Sequence, residues 1–197
     1  MPKLAPKTTK PIRGTNQLRI IGGDYRRRIL PFPDGEGLRP TPDRVRETLF
    51  NWLGQDLDGR VCLDLFAGSG ALGFEAASRG ARRVVMVEMA RPALAALQSN
   101  RALLQAEVVE VVGADALAWL GRSSEQFDVV FLDPPFASDF LVKVLAVIAP
   151  CLHEDGLVYI ETADWPALTG WEVLRKGKAG VVHYGLLRLT PVVHIAG

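Results

Sequence analysis

VCLDLFAGSGALGFEAASRGARRVVMVE, residues 61–88, decides the fold. An apolar run, VCLDLF (61–66), enters a glycine-rich turn, a helical stretch follows over 71–79, and a second apolar run, VVMVE (84–88), ends on an acid. Runs this apolar on either side of a helix predict strands of a parallel sheet buried on both faces. The alternation continues downstream with a helix over 92–105, VVEVV (108–112), a helix near 115–121, FDVVFLD (127–133), a helix over 139–149 and GLVYIE (156–161). WEVLRKGK (171–178) and GVVHYGLLRLT (180–190) are separated only by a short turn at Ala179-Gly180, so they should pair antiparallel.

Upstream of this frame, residues 1–15 are rich in Pro, Thr and Lys without periodicity and predict a mobile basic tail. LRIIGGDYRRRIL (18–30) predicts a hairpin turning at Gly22-Gly23 and presenting Arg26, Arg27 and Arg28 together. Pro31–Pro40 is a loop by composition. Thr41-Pro42-Asp43 then supplies an N-cap, a proline for the first helical position and an acid for the first turn of a helix carrying Val45, Leu49, Trp52 and Leu53.

Bulk composition narrows the function classes. The 197 residues, 48% hydrophobic and 23% charged, suit one soluble domain with a small appendage. No apolar run approaches the ~18 residues of a membrane span, and the basic, Pro-rich start has no apolar segment of a secretory signal. Cys62 and Cys151 lie in no metal-ligand spacing, and they read as reduced thiols of a cytoplasmic protein without a metal centre. The net charge of +1 hides a division: residues 1–60 carry 12 Lys/Arg against 7 Asp/Glu, and the remainder 11 against 15. A basic front on an acidic body suits a polyanionic partner, although a solvated arm accounts equally well for residues 1–12.

Gly68, Gly70 and Gly73 spell GxGxxG at the first strand-to-helix turn, a pattern shared by several nucleotide-binding folds. Glu88 ends the second strand, 20 residues after Gly68, where a carboxylate can accept from both hydroxyls of a ribose. Asp115, beside Ala116, is suited to accept from an adenine amino group or to cap the next helix, and both roles stay open. Asp64 separates two adenosine ligands: a carboxylate there repels a dinucleotide pyrophosphate but favours the sulfonium and ammonium of S-adenosylmethionine. A backbone-capping role is the bland alternative for Asp64.

The fourth sheet strand ends in Asp133-Pro134-Pro135-Phe136. An amino group on a base gives its lone pair to the ring and is a poor nucleophile, so its chemistry needs acceptors that draw its hydrogens out of plane. Asp133 and the carbonyl of Pro134 are those acceptors, the two prolines stiffen the turn, and Phe136 offers a stacking face. A plain strand-ending turn is the alternative use of such a tetrapeptide. The reacting base must be unpaired or flipped out to reach it.

RIIGGDYRRRIL (19–30), GLRPTPDRVRETLFNWL (37–53), DLFAGSGALGFEA (64–76) and DPPF (133–136), in that order, resemble the RsmD family of bacterial 16S ribosomal RNA guanine-N2 methyltransferases. The resemblance implies an α/β, Rossmann-like class I S-adenosylmethionine-dependent methyltransferase. Its sheet would have seven mostly parallel strands with one antiparallel, plus a small N-terminal hairpin extension. Residues 16–40 would form the RNA-facing hairpin and loop, and 41–197 the methyltransferase domain. The resemblance implies the loop Phe66, Ala67, Gly68, Ser69, Gly70 and Ala71 with Glu88 for the cofactor, and the reading of the residues adds Asp64, Asp115, Ala116 and, at the methionine carboxylate, Thr41, for which capping is the alternative. Arg26, Arg27, Arg28, Arg39, Arg44 and Arg46 are the implied RNA contacts. The implied substrate is a guanine of 16S RNA within the small ribosomal subunit or its assembly intermediate, met by a monomer. A DNA adenine-N6 methyltransferase is the second reading, against which stand the absence of room for a sequence-reading domain and an Asp where Asn usually opens the tetrapeptide. A non-enzymatic RNA-binding assembly factor is the third.

Overall fold

The computed structural model describes residues 15–34, 40–135 and 139–190. The expected tail therefore lies, except for Thr15, outside the described residues, as do Arg39 and Phe136. An N-terminal hairpin, β1 (Thr15–Arg19) and β2 (Ile29–Pro33), leads into α1 (Asp43–Trp52). There follow β3 (Val61–Asp64), α2 (Ala71–Ser78), β4 (Arg83–Glu88), α3 (Arg91–Leu104), β5 (Val109–Gly113), α4 (Ala116–Leu120), β6 (Phe127–Leu132) and α5 (Phe140–Val147). After these come β7 (Leu152–Thr162), β8 (Trp171–Ala179) and β9 (Val182–Leu189).

Seven strands form one sheet in the order β5-β4-β3-β6-β7-β9-β8. Only β9 opposes its neighbours; β3 through β7 pair in parallel. The expected seven-stranded, doubly wound sheet with one antiparallel strand is thus the one observed. β8 and β9 do pair as a hairpin, but β9, the later strand, occupies the inner position against β7. Its middle residues, 184–187, are buried, whereas β8 alternates charged and half-buried positions as an edge strand. β7 also starts earlier than its apolar run, because Leu152 pairs with Phe127 ahead of a register shift.

Alternation along the strands sorts the core into two layers. Cys62, Met86, Phe131 and Tyr159 face the hairpin and α1 to α3, where Leu18, Phe32, Leu49, Phe50 and Phe74 pack. Leu63, Val85, Leu132 and Ile160 face α4 and α5, against Leu120, Val144 and Ile148. The hairpin is part of the first layer: Leu18, Ile20, Leu30 and Phe32 are all buried in it.

Three local expectations are corrected. Residues 20–28, longer than a tight turn at Gly22-Gly23, connect β1 to β2, because this segment is tied to α2. Ile21 and Gly22 donate their amides to Glu75, Tyr25 donates to Ser78 Oγ, and Asp24 to the Ser78 carbonyl. Gly23 has φ +71°, and a Cβ there would lie 1.7 Å from the Ser78 oxygen, so only glycine fits. Thr41 does not cap α1: Pro42 holds the cap position without a side-chain bond, and the Thr41 hydroxyl is used elsewhere.

Arg46, expected on the RNA-facing surface, is the third correction. It is 1% exposed and pairs with Glu75, itself 0% exposed, at 3.1 Å. Its guanidinium also donates to Asp43, to the Arg19 carbonyl and to the Thr41 carbonyl. Arg79 approaches the other Glu75 oxygen at 2.9 Å and lies over the Phe50 ring. One buried ion pair therefore joins the hairpin, α1 and α2, while the neighbouring Arg44 is exposed. Arg46→Met should cost roughly 3–5 kcal/mol of stability, because it strands a buried carboxylate. Arg44→Ala should change it by less than about 0.5 kcal/mol. Urea unfolding of both variants checks the difference.

Candidate functional site

The winding reverses beside β3: the chain runs outward through β4 and β5, then returns to β6 on the opposite side of β3. The carboxyl ends of β3 and β6 therefore diverge at a switch point, where open α/β sheets bind ligands. The glycine loop leaves β3 there. Gly70 carries φ +83°, and a Cβ on it would lie 2.6 Å from the Phe74 ring, so the turn into α2 requires glycine. Ala67, Ser69 and Ala71 are buried, and Phe66 is half-buried with its ring 5.9 Å from Phe140. Most of these loop side chains thus serve packing, and the backbone is what the loop offers to a ligand.

Glu88 stands at the end of β4 facing this loop. One carboxylate oxygen accepts from the Gly68 amide at 2.9 Å and the other from Ala90 at 2.6 Å. Each oxygen keeps a further lone pair, which suits it to ribose hydroxyls while it holds the loop in register. Met89, next in the chain, is 68% exposed. It contrasts with Met86, which packs into the sheet core. Asp115 accepts from the Ala118 amide at 2.9 Å and so caps α4, with Ala116 buried behind it. The capping alternative for Asp115 is realised, with one oxygen engaged.

Asp64 is 2% exposed and accepts from the Gly73 amide at 2.9 Å. The role rated as the bland alternative is its observed contact. Burial, opposed by the Gly73 bond and reinforced by the charge of Glu88, pushes its carboxyl up to about 7. A positive group bound beside it would favour its charged form.

Asp133 follows the last residue of β6, half-buried, with Pro134 buried and Pro135 exposed behind it. Strand register fixes its neighbours. Asp64 is level with Phe131, Phe131 with Tyr159, and Leu132 with Ile160, so the next step up sets Asp133 beside Glu161. Two-residue alternation points Asp64, Asp133 and Glu161 to the same sheet face. Burial, then the charges of Glu161 and Asp64, hold the Asp133 carboxyl well above the usual carboxylate range. Among the described residues no such cluster is arranged to hold a metal ion.

Glu161 was not singled out in the sequence. It is 4% exposed, and one of its oxygens accepts from the Thr41 hydroxyl at 2.8 Å and from the Tyr159 hydroxyl at 2.9 Å. Its carboxyl is also raised, chiefly by burial. The only available signal was an acid closing the apolar run GLVYIE, two positions after a tyrosine. Thr41, expected at the cofactor, is bonded to the end of β7 by this contact.

The arginines of the hairpin connection are not brought to this edge. Their segment is bonded to the far end of α2 at Ser78, and Arg28 donates to the Leu103 carbonyl near the end of α3. The eight residues of α2 span about 12 Å, and the glycine loop is at the opposite end. Arg26, Arg27 and Arg28 are exposed there.

Comparison with known proteins bears directly on this geometry. The sequence family described as Conserved hypothetical protein 95 matches residues 18–188. Ribosomal RNA small subunit methyltransferase D of Escherichia coli strain K12 is 42% identical over 179 residues, covering 88% of this chain and 90% of the relative. The protein of that name from Haemophilus influenzae is also 42% identical, over 86% of this chain and 93% of its own. The chain belongs to this family.

A solved methyltransferase structure from Escherichia coli superposes on this family member with a TM-score of 0.81 at 42% identity, covering 88% of this chain and 98% of the other. A methylase structure from Haemophilus influenzae gives 0.75 at 37% identity, with 87% and 98% covered. A methyltransferase complexed with SAH, 18% identical, shares the fold at a TM-score of 0.67. Family and fold together make this chain an S-adenosylmethionine-dependent methyltransferase. Its residues fit that cofactor: a backbone-lined glycine loop, a half-buried carboxylate facing it, and an acid-rich sheet edge for a cationic group. Glu88→Ala should raise the cofactor dissociation constant roughly 10- to 100-fold, the range expected for losing charge-assisted hydrogen bonds. Isothermal titration calorimetry measures it.

Proposed function

We propose that the protein methylates the exocyclic N2 amino group of a guanine in the 16S RNA of the small ribosomal subunit. The observation that carries this reading is the Asp133-Pro134-Pro135 turn at the switch point, one strand away from the glycine loop. S-adenosylmethionine, when bound, supplies an electrophilic methyl group on a positively charged sulfur. The protein's task is then to hold and activate a weak nucleophile.

Asp133 is suited to accept a hydrogen of the amino group, and the Pro134 carbonyl to accept the other. Two such acceptors pull the nitrogen lone pair out of conjugation with the ring. Pro134 and Pro135 limit backbone freedom, so the acceptors are oriented before the base arrives. As nitrogen becomes cationic during transfer, the three-acid edge stabilises it electrostatically, and the departing proton passes to Asp133 or to water. The tetrapeptide's aromatic residue, Phe136, lies outside the described residues; we assign it the stacking role by type alone.

The substrate chemistry also accounts for the basic hairpin connection. An RNA long enough to reach both the sheet edge and Arg26 to Arg28 spans more than the length of α2, so these arginines are suited to phosphates flanking the target. Arg39, also outside the described residues, and Arg44 complete the proposed contacts. Arg46 does not belong with them.

With labelled S-adenosylmethionine, small ribosomal subunits, naked 16S RNA and duplex DNA are offered in parallel. Label is expected in the ribosomal RNA, at guanine N2; label on DNA alone overturns the proposal. Asp133→Ala should abolish transfer while cofactor affinity changes by less than about threefold, since its partner is the base rather than the cofactor. Replacing Arg26, Arg27 and Arg28 with Glu should weaken RNA binding and flatten its dependence on salt, leaving cofactor binding intact. Binding isotherms at several salt concentrations give that slope.

A further inference from the structure

Glu161 occupies a position with no evident need for a carboxylate. It lies in the apolar layer formed by Phe131, Tyr159 and Tyr184, where a glutamine would satisfy the same two hydroxyl donors. Its backbone is one strand from Asp133, a spacing of about 4.8 Å, and both side chains leave the sheet on the same face. Thr41 and Tyr159 fix one of its oxygens from two sides, so the charge cannot swing away from its neighbour. The titratable groups facing Asp133 are Asp64 from β3 and, from β7, Glu161 and the neutral Tyr159 hydroxyl. Thr41 on the segment ahead of α1 is neutral, and the nearby Arg46 is committed to Glu75 and Asp43.

We infer that Glu161 is a positioning residue for Asp133: held by Thr41 and Tyr159 on the adjacent strand, it confronts the Asp133 carboxyl with a second acid, so that the pair shares its protons and the readiness of Asp133 to receive the amino hydrogens depends on Glu161. This rests on the methyl-transfer reading above. Like charges on adjacent strands disfavour double ionisation, so Asp133 binds its proton more tightly beside Glu161 than it would beside a neutral residue. Thr41 extends the arrangement to the N-terminal segment, since its hydroxyl reaches Glu161 only when that segment is docked on β7. Docking of that segment and the ionisation state of the proposed acceptor are thereby linked through a single side chain.

The test is the pH profile of kcat for transfer to small ribosomal subunits at saturating S-adenosylmethionine, with KM for RNA recorded separately. Glu161→Gln removes the charge and keeps an acceptor for both hydroxyls. Its acidic limb should move to lower pH by about one unit, with KM for RNA changed by less than about threefold. Glu161→Asp keeps the charge, so its limb should stay with the wild type even as the plateau falls. Coincident limbs for Gln and wild type overturn the inference, because a scaffolding role would alter the plateau and the melting temperature without moving the limb. Absence of transfer to RNA by the wild type would instead sink the functional reading. Should the Gln variant not fold, carboxyl carbon-13 titration of the wild type decides: linked two-step curves for Asp133 and Glu161 support the inference, and independent single-step curves overturn it.

Discussion

The Arg46–Glu75 ion pair is the constraint on which the rest of this structure depends. Taking both charges out of water is costly, and the cost is offset only where nearly every donor and acceptor finds a partner. Here the partners come from four segments: the hairpin connection through the Ile21 and Gly22 amides, β1 through the Arg19 carbonyl, the Thr41 carbonyl, and Arg79 just past the end of α2. Such a hub is satisfied in one arrangement of those segments. It therefore fixes how the N-terminal segment crosses the sheet, and with it where Thr41 meets β7.

The sheet edge has the opposite electrostatic character. Asp64, Asp133 and Glu161 line three neighbouring strands, and burial raises all three carboxyls. Among the described residues no cation is paired with this row of acids, an arrangement that favours a positive ligand. The sulfonium of the cofactor, and the nitrogen as it gains a methyl group, are both positive at the stage when each needs support. Acidity at this edge thus suits the positive charge that methyl transfer moves from sulfur to nitrogen, rather than the charge of the RNA.

Much of this was legible in the sequence because it depends on local pattern. Apolar runs with intervening helices foretell the parallel strands, the glycine turn marks the switch point, and the Ala179-Gly180 turn foretells the terminal hairpin. The missed features depend on which residues face one another across distant segments. Arg46 looks like any charge on an amphipathic helix until Glu75, in a different helix, is seen to be inward-facing. Thr41 has the chemistry of a cap, and only the register of β7 against β6 reveals the stronger partner at Glu161. Arg26 to Arg28 were correctly expected to be exposed, but the edge they occupy follows from amide bonds to Glu75 and Ser78, which no sequence period encodes.

The inner position of β9 has a consequence for biosynthesis. β7 carries Glu161, and its free side is covered by residues 182–189, with Tyr184 directly across from Glu161. A ribosome emits the chain from its amino end, so the glycine loop, Asp133 and Glu161 all emerge before the strand that pairs with β7. Throughout that interval β7 presents unpaired amides and carbonyls, and β8 has nowhere to attach. A nascent chain stalled before residue 182 would hold Asp64, Asp133 and Glu161 yet leave the strand that bears Glu161 without its outer partner.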